Sequence, residues 1–119
     1  KPAIIIAEYN SNFGQKSISV PYEVNFDRTK KHYDCAYYGA SLNAISLLLK
    51  KHNYCLIEIS SLGNNAFYLR NDLLEESDMP LVPQYSFKEG FFQNSQKRYL
   101  EYWREIKDMK FVEINEKNI

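Results

Sequence analysis

The sequence has 119 residues, enough for one modest hydrophobic core and too few for two. Fifteen basic residues cancel fifteen acidic ones, which removes the electrostatic reason to seek nucleic-acid phosphates or an anionic membrane surface. A hydrophobic fraction of 45% against 25% charged residues excludes a disordered chain, and no apolar run approaches the roughly 20 residues that span a bilayer.

Lys1-Pro2 leads at once into Ala3 to Glu8, an Ile-rich apolar run ended by a carboxylate. The run is too short for a helix, and its β-branched content predicts a strand. Because it is apolar on both faces, it reads as a central strand of a sheet covered on both sides. A buried strand this close to the first residue, with no initiator Met before it, implies a portion of a longer protein; the rivals are an unusual natural N-terminus or residues removed from the sequence.

Residues 10 to 34 are rich in Asn, Gly, Pro and Asp and read as one long loop. The basic run Arg28-Thr29-Lys30-Lys31-His32 inside it is bracketed by Asp27 and Asp34 and reads as solvated. Ala40 to Lys51 is the clearest helix: Ser41 is its N-cap, and Leu42, Ile45, Leu48 and Leu49 share one face. Lys50, Lys51 and His52 complement the negative end of the helix dipole, and Asn53 is placed to take a left-handed stop.

Tyr54 to Ile59 and Ala66 to Arg70 read as strands joined through Gly63-Asn64, with Asn64 and Asn65 supplying the positive φ of a hairpin turn. Asn71-Asp72 opens a short helical turn, and Pro80 and Pro83 mark irregular chain. A last helix is predicted from about Asn94 to Asp108, with Tyr99, Leu100, Trp103 and Ile106 as a core-packing stripe. Phe111 to Ile114 is a short terminal strand or an extended tail that packs back.

Strand, helix and strand in this order imply a parallel pair joined by a crossover, followed by an antiparallel strand and a C-terminal helix. The fold class expected is therefore α/β, a partial Rossmann-like sheet. The domain organisation expected is a single partial domain over residues 1–119, with the sheet core and crossover helix in 1–75 and peripheral elements in 76–119.

The run Lys1 to Asn10, the stretch Val20-Pro21-Tyr22, the segment Tyr37 to Leu42 and the segment Gly63 to Arg70 together resemble a group of uncharacterised bacterial proteins. These are similar to the C-terminal half of Rossmann-like, S-adenosylmethionine-dependent methyltransferase domains of the FkbM type. The resemblance covers roughly residues 1 to 75, with a weaker echo in Phe111 to Ile114. It implies that Ala3 to Glu8 is the fifth strand of that fold, that the helix from Ala40 is the crossover, and that the last strand inserts antiparallel between its two predecessors. It also implies an N-terminal half that holds the cofactor. Gly14, Gly39, Gly63 and Gly90 are too scattered for a glycine-rich nucleotide loop, so S-adenosylmethionine is expected for the intact protein and not for this chain alone.

In open parallel sheets ligands bind beyond the carboxyl ends of the strands, which makes Glu8, Tyr9 and Asn10 the first candidate site. Glu8 offers a base or a ligand for a metal or an amine, Tyr9 a stacking surface, and Asn10 hydrogen bonds or an Asx turn. Tyr38, Gly39 and Ser41 place a small-residue turn at a helix N-terminus, suited to an anion or to ordinary capping by Ser41. Cys35 and Cys55 fit no redox spacing, and His32 and His52 find no third ligand for a metal. Cysteine usage sets a cytoplasmic default.

The expected function is thus a portion of a methyltransferase-like protein, inactive alone, whose partner is the missing half of its own domain. The alternative is a non-catalytic interaction or assembly module that associates through an exposed sheet edge.

Overall fold

In the computed structural model, residues 1–75 and 98–119 are described. Strand β1 (Ile4–Glu8) is followed by a 3-10 turn (Ser11–Phe13), strand β2 (Ile18–Ser19), the single-turn helix α1 (Arg28–Lys31) and helix α2 (Leu42–Lys51). Strands β3 (Tyr54–Ile59) and β4 (Asn65–Arg70) come next, then a 3-10 turn (Asn71–Leu73), helix α3 (Tyr99–Ile106) and strand β5 (Val112–Glu113).

Two antiparallel sheets make a small mixed α/β domain. The first has the order β1-β4-β3, and the second pairs β2 with β5. The expected parallel pair is not formed: β4 lies between β1 and β3 and runs antiparallel to both. β1 and β3 therefore point the same way without touching. The reason is local, since the short turn after β3 returns the chain directly alongside it and fills the place between the two strands.

That turn is held by polar groups. Ser60 N donates to Asn65 O (2.8 Å), Gly63 N donates to Ser60 O (2.9 Å), and Ser60 Oγ bonds Asn64 Oδ1 (2.9 Å). The positive φ belongs to Gly63 at 71°, not to Asn64 or Asn65. Asn64 acts through its side chain instead.

Helix α2 starts as its cap dictates: Ser41 Oγ accepts from Ala44 N at 3.1 Å. The helix itself begins at Leu42, two residues after the expected start. It ends at His52, and Asn53 takes φ 67°, as the sequence suggests. Leu42 is buried against Tyr9, Tyr54, Ile59, Ala66 and Tyr68, with Ile5, Ala7, Ile45, Leu49 and Leu56 around them, and Ala44 is buried as well. Leu48, expected on the same face, is 42% exposed.

Among the described residues β1 is an edge strand rather than a central one. Ile5 and Ala7 face α2, while Ile4 and Ile6 on the other side are 52% and 62% exposed. Arg70 N donates to Ala3 O and Tyr9 N to Asn64 O, which fixes the ladder so that Ile4, Ile6 and Glu8 direct their backbone N–H and C=O groups away from β4. Sequence hydrophobicity marks a strand able to be covered on both faces; the described residues cover one.

The predicted loop from 10 to 34 contains a 3-10 turn, a strand and a helical turn. β2 escapes notice because it is two residues long and is made only by pairing with the tail, Ile18 with Glu113 and Ser19 with Val112. A second core lies here. Phe13 is completely buried, with Phe111 at 5.3 Å and Trp103 at 6.3 Å between ring centroids, both edge to face. Ala36, Tyr37, Tyr102 and Ile106 complete it.

The last helix does pack into a core, yet its buried face is Tyr102 and Ile106 with Trp103 beside them, and Leu100 is 50% exposed. The expected start at Asn94, together with Pro80, Pro83 and Gly90, lies outside the described residues.

Candidate functional site

The six expected site residues converge at the carboxyl end of β1 and on the loop that leads into α2, but in different roles. Asn10 is fully buried and joins the two segments. Its backbone N donates to Ala40 O (2.8 Å), and its Nδ2 donates to Ala36 O (2.8 Å) and Tyr38 O (3.0 Å). Its Oδ1 accepts from Asn12 N (3.0 Å) and caps the 3-10 turn as an Asx turn does. Every polar atom of that amide is engaged by backbone, so Asn10 builds the site rather than offering itself to a ligand.

Ser41 is likewise fully buried, and its hydroxyl oxygen accepts two backbone hydrogen bonds. Its Oγ accepts from Ala44 N and from Ile18 N, each at 3.1 Å, and its backbone N donates to Ile18 O at 2.9 Å. With the cap filled and a strand laid across it, the α2 N-terminus is occupied by the protein itself. Gly39 is exposed with φ 63°, and a Cβ there would meet nothing within 4 Å. Its glycine is required by backbone conformation, not by the approach of another group.

Tyr9 is 1% exposed and packs with Leu42, Ala66 and Tyr68. Burial, reinforced by the neighbouring Tyr68 and Tyr38 hydroxyls, pushes its phenol up to about 12. Tyr38 is half-buried, and burial outweighs the opposing pull of Arg28 to raise its phenol as well. Both remain protonated at neutral pH and act as hydroxyl groups, not bases.

Glu8 is exposed, with 55% of its side chain accessible. Its partner is one the sequence reading placed in a solvated loop: Arg28 Nη1 lies 3.9 Å from Glu8 Oε1. The Arg28 guanidinium sits over the Tyr38 ring, 3.8 Å from the centroid. Glu8, Arg28 and Tyr38 thus come from three separate segments onto one surface. No spacing in the sequence pairs Glu8 with Arg28 across nineteen intervening positions; only the tyrosine pair Tyr37-Tyr38, an aromatic platform, hints that a cation is wanted nearby.

Three and four residues past Glu8, the buried Ser11 Oγ and Asn12 Oδ1 have no hydrogen-bond partner among the described residues. Each such atom represents roughly 1–3 kcal/mol of unrecovered desolvation. This end of the strand therefore carries polar capacity beyond what its own fold uses.

The other expected residues fall elsewhere. His32 is not solvated: its side chain is 7% exposed, its Nε2 is 2.8 Å from Glu105 Oε1, and its Nδ1 accepts from Asp34 N and Ala36 N. Nδ1 as acceptor places the ring proton on Nε2, directed at Glu105. Cys35 and Cys55 are both free thiols, and burial raises Cys55. Among the described residues no three His, Cys, Asp or Glu side chains gather where they hold a metal ion. Gly14, Gly39 and Gly63 all have positive φ and serve turns. No described helix is long and apolar enough to cross a membrane.

A cleft of about 340 Å³ beside the same loop is lined by Val20, Pro21, Tyr22, Lys31, Tyr37 and Lys110, among others. A larger one, about 510 Å³, lies at the opposite end of β1 around Lys1, Asn53, Arg70 and Asp72. Neither contains any of the six expected residues. Comparison with protein-family models, with curated proteins and with solved structures finds no match.

Proposed function

We propose that this chain is the C-terminal portion of an S-adenosylmethionine-dependent, methyltransferase-like α/β protein, and that the cofactor is held by the part of the domain that precedes it. The supporting observation is the strand order β1-β4-β3, with the antiparallel strand inserted between two strands that run in the same direction and are linked through α2. That insertion is the feature the resemblance to FkbM-type domains implies. The open edge of β1, with Ile4 and Ile6 exposed beside it, is where the remaining parallel strands and their covering helices dock in this reading. Glu8, Arg28 and Tyr38 then stand at the carboxyl end of the sheet, on the acceptor side of the cleft.

The test is calorimetric titration of S-adenosylmethionine into this chain and into its full-length parent. Binding by the parent alone is the expected result. Binding by neither refutes the methyltransferase reading, and binding by the isolated chain refutes the placement of the cofactor upstream.

The same open edge supports a second reading, a non-catalytic module that pairs with its own copy or another chain. A concentration-dependent dimer in light scattering, together with no cofactor binding by the parent, favours that module.

A further inference from the structure

In the basic segment around α1, Lys31 and His32 are each closely paired with a carboxylate. Asp27 is committed to the helical turn: its carboxylate accepts from Thr29 Oγ1 (2.6 Å) and Thr29 N (3.0 Å), which hold it below the usual carboxylate range. Lys31 Nζ is 2.8 Å from Glu23 Oε2, and His32 Nε2 is 2.8 Å from Glu105. Lys30 is exposed on the outside of the turn.

Arg28 differs from all of these. Its guanidinium is fixed over the Tyr38 ring at 3.8 Å, yet its carboxylate neighbour Glu8 is 3.9 Å away. A charge-assisted N–H···O contact closes to about 2.7–2.9 Å, and a guanidinium has about five N–H donors in a rigid fork. Arg28, which also bonds the Tyr38 side chain, is therefore oriented with donors of its fork to spare.

Orientation matters for energetics. A free arginine loses rotamer entropy when it grips a ligand; one already seated on an aromatic face loses less for each hydrogen bond it makes. Glu8 at 3.9 Å lies beside the guanidinium near the strand end, but it is more than half exposed and leaves the fork open to a better-placed oxygen pair.

We propose that Arg28, seated on Tyr38 and flanked by Glu8, is the anchor for an oxyanion group on the ligand of this site, a carboxylate or a phosphate. Resting on the reading of this end as the acceptor side, the acceptor is an anionic molecule that carries a hydroxyl or amine within reach of Glu8. Glu8 competes with the ligand for the guanidinium when the site is empty and orients its polar group when it is full.

The experiment follows the Arg28 Nε–H resonance of the 119-residue chain by NMR during separate titrations with sodium phosphate and sodium acetate at constant ionic strength. A saturable shift with either anion is expected, and the tighter of the two identifies the oxyanion. Arg28→Gln abolishes the accompanying saturable shifts of the Glu8 and Tyr38 amides. Glu8→Gln tightens binding about two- to fivefold, the worth of an exposed ion pair that no longer competes.

Linear, unsaturable shifts with both anions overturn the proposal. So do identical amide shifts in Arg28→Gln, or weaker binding in Glu8→Gln. None of these readouts requires the cofactor. Failure of S-adenosylmethionine to bind the parent removes the methyl-transfer reading and leaves an anion site; failure of the anions removes this proposal and leaves the parent's cofactor binding untouched.

Discussion

Replacing Asn10 with alanine removes three hydrogen bonds at once: those from Nδ2 to Ala36 O and Tyr38 O, and that from Asn12 N to Oδ1. Two of the three are buried, and the Tyr38 carbonyl is partly accessible, so water restores some of that one. With about 0.5–1.5 kcal/mol for each net bond and more for each backbone group left buried and unpaired, the loss is roughly 2–4 kcal/mol. Against a total stability of about 5–15 kcal/mol this is a large fraction, and for a chain of this size it lowers Tm by roughly 8–16 °C. Urea unfolding followed through Trp103, the only tryptophan, reports the aromatic core that Phe13 anchors a few residues away. Asn10→Asp sharpens the test. It keeps the acceptor for Asn12 N but turns a carboxylate toward two carbonyls, so at neutral pH it destabilises at least as much as alanine. As pH falls and the carboxyl gains a proton, a donor returns and part of the loss is recovered. A change below about 1 kcal/mol for both variants would show that the amide is not the clamp described here.

Ile6→Lys, on the open face of β1, is expected to change the stability of this chain by less than about 0.5 kcal/mol while it lowers the stability or solubility of the parent strongly; equal losses in both would place a cover within this chain. Gly39→Ala costs about 1–2 kcal/mol through the left-handed backbone alone, and Gly39→Asn costs less, since the space around Gly39 is open; equal urea midpoints for all three would contradict the φ of 63°. Tyr9 and Tyr68 are each pushed up to about 12, chiefly by burial, so the folded state holds protons that the unfolded state releases above about pH 10. Their contribution is complete below about pH 10 and is lost as pH rises through 12. Tyr68→Phe should remove about one proton from the slope of stability against pH in that window, and an unchanged slope counts against a buried Tyr68 hydroxyl.

Much of the local structure was legible in the sequence, because it is governed by neighbours along the chain. Ser41 as a cap, Asn53 as a left-handed stop, the Ile-rich first strand and the turn before Ala66 each follow from residue-level preferences that act over a few positions. The strand end that holds Glu8 and Asn10 and the helix start that holds Tyr38, Gly39 and Ser41 were each readable from such preferences, as two separate segments. Their roles were not. Nothing in the order of residues says that the Asn10 amide is consumed by Ala36 and Tyr38, or that Ser41 bonds Ile18 as well as its own helix.

Three features belong to tertiary structure alone. The position of β4 between β1 and β3 is chosen by competition for backbone partners across the sheet, which no single strand's composition encodes. β2 exists only because Val112 and Glu113 return to pair with Ser19 and Ile18 from more than ninety residues away. Arg28 joins Glu8 and Tyr38 because the loop folds the guanidinium onto an aromatic ring, although its sequence neighbours suggest a solvated charge. The amino-acid order determined which segments were strand, helix and turn, through short-range sterics and capping; the pairing of those segments, and the chemistry their ends share, was decided by long-range contacts that exist only once the chain has closed on itself.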